Sequence, residues 1–74
     1  FRCISLAYKA IEKGGNMPCA MNAANEVAVQ EFIDGSIGFL DIADRVERAM
    51  QDTPFMATPT IEDLLATDKT IRQQ

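Results

Sequence analysis

The residues of this chain that could carry chemistry are two thiols, eleven carboxylates and a pair of asparagines inside a helical pattern. Cys3 and Cys19 are the thiols, and there is no histidine. Two thiols alone cannot close the four-coordinate site that zinc takes. A disulfide-stapled scaffold of this size uses more cysteine. Both cysteines are therefore expected to be reduced, one or both buried as small hydrophobes. A catalytic carboxylate pair needs burial or mutual repulsion to shift its pKa. Here the carboxylates fall on polar helix faces or at helix starts, where plain surface charge is expected. No Gly-rich phosphate loop and no G-x-S-x-G motif is present. Gly14-Gly15-Asn16 precedes a helical pattern and could offer free amides to an anion; a turn between helices is the simpler expectation.

Asn22 and Asn25 carry more information. Asparagine is a poor helix former because its side chain competes for backbone bonds. Two of them beside an apolar stripe call for partners, since an unpaired buried amide costs about 1–3 kcal/mol. The expected partners are the backbone of a neighbouring helix or loop of this domain, with a neighbouring domain as the alternative. Asp34-Gly35-Ser36-Ile37 is the nearest approach to the modified serine of an acyl carrier protein. Gly35 intervenes, and Ser36 follows a helix stop instead of opening a long helix, so no prosthetic group is expected there.

The elements that would hold these residues are all helical. Ile4, Ala7, Tyr8 and Ile11 recur at helical spacing over Arg2 to Lys13, and Gly14-Gly15 supplies a left-handed stop. Asn16 can cap a second helix, with Pro18 in its first turn. That helix runs from about Met17 to Asp34, with Gly35 as its stop. Its main stripe is Met17, Met21, Ala24, Ala28 and Phe32, with Ala20 and Val27 beside it, and Val29 and Ile33 on another side. A helix apolar on most sides is enclosed by several neighbours, so this one is expected at the centre. A third helix spans Asp41 to about Gln51, with a narrow stripe of Ile42, Val46, Ala49 and Met50. After a loop from Asp52 to Pro59, Thr60 can bond the amide three residues on, with Glu62 and Asp63 at the positive end of the dipole. Ile61, Leu64 and Leu65 form the last stripe. Asp68 then falls on the apolar side, which predicts a break, with Thr67 or Asp68 capping a further short helix up to Gln74. No alternating β-branched run appears. The expected fold class is all-α, a small bundle of four to five helices.

Seventy-four residues make one domain at most, and a chain this short supports only a marginal core. With no staple in view, a partner is the expected support. The formal charge of −4 argues against nucleic acid and anionic membrane surfaces. No apolar run approaches the roughly 20 residues of a membrane span. The start Phe1-Arg2-Cys3-Ile4 has no apolar signal region, so a cytoplasmic location is expected. The chain opens without an initiator Met, as a piece of a longer protein would.

At the central helix the pattern becomes specific. Asn22-Ala23-Ala24-Asn25-Glu26-Val27-Ala28-Val29 resembles a stretch of the C-terminal domain of 1-deoxy-D-xylulose 5-phosphate reductoisomerase. Cys3 to Ala10 looks like that domain's first helix, Ile37 to Ile42 like the entry to its third, and Pro59 to Leu65 like the start of its last helical region. The blocks keep their order and spacing over nearly the whole chain. Met17 to Met21 is the least typical stretch. The resemblance implies a left-handed superhelix of helices, residues 1–74, supporting a larger enzyme. That enzyme would bind NADPH and a divalent metal, Mg or Mn, in other domains and act as a homodimer. It would convert 1-deoxy-D-xylulose 5-phosphate to 2-C-methyl-D-erythritol 4-phosphate in non-mevalonate isoprenoid synthesis. None of the family's catalytic, metal or nucleotide residues maps onto this chain. No cofactor is expected in it, and its partners would be the remaining domains.

Read from the residues alone, apolar surface is left over. Leu6 lies opposite Ile4, Val29 and Ile33 form a second side of the central helix, and Phe55-Met56 sits in a loop. These five residues are the expected interdomain face. The alternative reading is an independent acidic helical interaction module.

Overall fold

The structure is a computed structural model that describes residues 2–73. Four helices follow one another: α1 (Arg2–Lys13), α2 (Met17–Ile33), α3 (Asp41–Asp52) and α4 (Ile61–Arg72). Among the described residues there is no strand.

The first three helices start and stop where glycine and polar punctuation direct. Gly14 and Gly15 both adopt positive φ, 71° and 57°, and turn the chain from α1 into α2. α4 opens with a reciprocal cap. The Asp63 N–H donates to Thr60 Oγ1 at 3.1 Å, and the Thr60 N–H donates to Asp63 Oδ2 at 3.0 Å. Two orphan donors of the first turn are thereby satisfied.

α2 is the central element and packs against each of the other three helices, while α1 also touches α3. Its inward residues are small: Ala20, Ala23, Ala24 and Ala28 are all buried. Ala10 of α1, and Ala43 and Ala49 of α3, face the same core. Alanine on facing helices lets the backbones approach closely, so the core is thin. Val46 and Asn16 are its largest completely buried side chains.

Two expectations about faces are corrected. On α1 the stripe is inverted. Leu6 and Ala10 are the buried residues, with Cys3 packed beside them, whereas Ile4, Tyr8 and Ile11 are 56%, 69% and 69% exposed. Both sides of α1 are apolar, so periodicity alone does not say which turns inward. The alanine-lined surface of α2 selects the side with the smaller residues.

On α4 the predicted break does not occur. The helix is continuous from Ile61 to Arg72, and its buried residues are Thr67 and Ile71 instead of Ile61 and Leu65. The buried Thr67 hydroxyl is satisfied within the helix, donating to the Asp63 carbonyl at 2.9 Å, one turn back. Asp68 is only half-buried and accepts from Arg72 Nε at 2.9 Å, so its charge needs no break. The predicted end at Gln74 lies outside the described residues.

Candidate functional site

The thiols stand apart on different elements, and neither is in a disulfide. Cys19 is half-buried, and its Sγ lies 3.4 Å from the Leu64 carbonyl. Burial, followed by the nearby Asp68 charge, pushes this thiol above its ordinary pKa, with Arg72 acting the other way. That is the opposite of the activation a nucleophilic thiol requires. Among the described residues, no three His, Cys, Asp or Glu side chains group closely enough to hold a metal ion.

Several carboxylates act as struts between helices. Arg2 of α1 bonds both Asp44 and Glu47 of α3. Arg45 of α3 meets Glu31 of α2 at 2.6 Å. Arg72 of α4 reaches Glu26 of α2 as well as Asp68, and these two carboxylates, Asp68 first, raise the guanidinium above its ordinary pKa. All these pairs are exposed, so water screens them and each contributes little alone. Their geometry joins α1 to α3, α2 to α3 and α2 to α4.

Asn22 and Asn25 do not find the expected partners. Asn22 is exposed and Asn25 half-buried, and neither side chain enters a hydrogen bond among the described residues. Asn22 stands at the surface because α2 turns its Ala23-Ala24 side inward.

The asparagine with partners inside the domain is Asn16, whose side chain does not cap α2. It is completely buried. Its Nδ2 donates to the Pro54 carbonyl at 2.9 Å and lies 3.4 Å from Thr67 Oγ1. Its Oδ1 accepts from the Met56 N–H at 2.9 Å, and its own N–H donates to the Met56 carbonyl at 3.1 Å. Asn16 thus pairs with the loop before α4 as a short strand would. Gly15 makes this approach possible, since a Cβ there would lie 2.0 Å from the Met56 carbonyl oxygen. The Gly15-Asn16 pair marked a turn in the sequence; its long-range partners left no local signal.

The expected interdomain residues are dispersed. Leu6 is 3% exposed and belongs to the core, so it cannot offer an outer surface. Val29 is half-buried against that core. Met56 is half-buried and held by Asn16, and Phe55 lies beneath Lys13, whose Nζ is 4.9 Å from the ring centroid. Ile33 is fully outward at 68% exposure. Ser36 is exposed in the connection between α2 and α3.

The uncovered apolar surface lies elsewhere. Ile4, Tyr8 and Ile11 form an outward stripe along α1. Phe39 and Leu40 stand outward in the α2–α3 connection, and Phe39 makes an edge-on contact with Phe32 at 5.8 Å between ring centroids. Ile4 also lines a groove with Phe39 and Leu40, so the first turn of α1 and the connection share one apolar surface. Contiguous apolar surface of this kind marks an interaction site more often than scattered exposed residues do.

Comparison with known proteins gives this surface a context. The family described as "DXP reductoisomerase C-terminal domain" matches residues 1–74. The 1-deoxy-D-xylulose 5-phosphate reductoisomerase of Lachnospira eligens is 48% identical over 71 residues, 96% of this chain and 19% of that protein. The same-named protein of Macrococcus caseolyticus is 52% identical over 68 residues, 92% of this chain and 18% of its own length. That of Bacteroides thetaiotaomicron is 47% identical over 73 residues, 99% of this chain and 19% of its own length. The chain therefore spans about a fifth of the length of these relatives. No solved structure matches it.

Proposed function

The chain belongs to the family of DXP reductoisomerase C-terminal domains, and from that premise we propose that it packs against and supports the catalytic portion of such an enzyme. The parent would convert 1-deoxy-D-xylulose 5-phosphate to 2-C-methyl-D-erythritol 4-phosphate, with NADPH and a divalent metal held by its other domains. It would work in the cytoplasm as a homodimer. This domain would contribute no group to the reaction. Its task is to keep the catalytic portion in shape.

One observation carries the reading: identity of 47–52% over nearly the whole chain to reductoisomerases five times as long. The exposed apolar residues Ile4, Tyr8, Ile11, Phe39 and Leu40 support it, because a neighbouring domain would remove them from water. The test is NADPH oxidation by the parent enzyme truncated just before residue 1, with and without this chain added. The truncated enzyme is expected to lose most of its activity and to recover part of it when the chain is added. Full activity without the chain, and indifference to it, would sink the supporting role.

A further inference from the structure

α1 begins at Arg2, and an apolar groove opens beside its first turn. Cys3 and Ile4 of α1 form one wall, Ile42 and Ala43 of α3 the other, and Phe39 and Leu40 the lip. The groove has a volume of about 560 Å³. Leu40 is 83% exposed and Phe39 70%, so the lip stands in water. Arg2, bonded to Asp44 and Glu47, ties the start of α1 to α3 and fixes the distance between the walls.

Connectivity selects the occupant. The matching family is a C-terminal domain, and this chain spans 18–19% of its relatives, so in a protein built as they are most of the polypeptide reaches the domain through Arg2. Arg2, at which that polypeptide would join, itself lines the groove. At about 3.3 Å per extended residue, roughly eight residues would cross even the 25 Å breadth of the molecule. A segment already tethered at the groove acts at an effective concentration in the millimolar range. A free partner or a second copy lacks that advantage on so small a surface.

We propose that the segment leading into Arg2 in the full-length enzyme lies in this groove and seats an apolar side chain between Ile4 and Leu40. The proposal rests on the domain reading above and gives it a defined point of attachment. It is tested in the full-length enzyme carrying a benzophenone amino acid at position 40, a second variant carrying it at position 39, and a control at the exposed Arg48. After irradiation, the crosslinked peptides are mapped by mass spectrometry. The expected result is crosslinking from positions 39 and 40 to the ten or so residues upstream of residue 1, in at least about fivefold higher yield than from position 48. Crosslinks to other parts of the catalytic portion or to a second subunit would overturn the proposal while leaving the domain reading intact. Crosslinks only within residues 2–74, or a yield no higher than at position 48, would overturn it as well. Failure of the domain reading is read separately, in the NADPH oxidation assay.

Discussion

Both donors and the acceptor of the Asn16 side chain are engaged inside the domain. Asn16→Ala would leave the Met56 N–H and the Pro54 carbonyl without their partner. Both groups are only partly buried, so a loss at the lower end of the roughly 1–3 kcal/mol for an unpaired buried group is expected, read as a lower urea midpoint. Gly15→Ala should act on the same contact, because its φ of 57° and the 2.0 Å approach to Met56 both exclude a side chain. Protection of the Asn16 amide from hydrogen exchange reports that loss. Cys19 gives a pH prediction. Its thiol is held above the ordinary value of 9.0, so the folded state retains the proton more tightly than the unfolded state. The associated stability is complete below pH 9.0 and is lost as pH rises through the folded value. Iodoacetamide should therefore modify Cys19 in the folded chain only at higher pH than in urea; matching pH profiles would show that burial does not hold the proton. At this scale the sequence was least informative. Asn22 and Asn25 drew attention because they interrupt a helical pattern, yet they face water or a half-buried edge. Asn16 looked like an ordinary cap, because its partners at Pro54, Met56 and Thr67 are remote in sequence.

Element boundaries were legible because local chemistry writes them. Gly14-Gly15, Gly35 and the Thr60-to-Asp63 cap locate helix ends to within a residue. The central position of α2 followed from its apolarity on most sides. The inward faces of α1 and α4 were not legible, since they depend on which neighbour each helix meets. Leu6 and Tyr8 separate the two readings of α1. In the isolated chain, Leu6→Ala should cost about 2–5 kcal/mol as a core truncation. Tyr8→Ala, at an exposed position, should stay within about 0.5 kcal/mol. Urea titrations of the two variants would reverse in order if the stripe read from periodicity faced the core. On α4, Thr67 illustrates why an internal threonine was a poor guide: its hydroxyl bonds the preceding turn instead of capping a new helix, and Asn16 covers it from the other side.

The whole molecule is a slab of 36 × 25 × 15 Å. Its accessible surface is 5050 Å² for 8.2 kDa. The size scaling of self-contained monomers gives about 4,500 Å² at this mass. The excess agrees with a core built from alanine and with large apolar residues turned outward on α1, α4 and the α2–α3 connection. A domain of this shape should be steadier within its parent than alone, which is why the NADPH oxidation assay with the added chain probes support and not chemistry. The Asn16 contact has a further consequence in time. It joins residues 38, 40 and 51 positions apart, so it is expected to close late in folding, after the helices it links have met. Contacts that form this late govern how long the native state survives and not how quickly it is reached. Asn16→Ala should therefore speed unfolding in stopped-flow urea jumps and leave the refolding limb nearly unchanged. A slower refolding limb would place the contact in the nucleus. Buried beneath a surface turn, one amide would act as the latch that sets the lifetime of the domain.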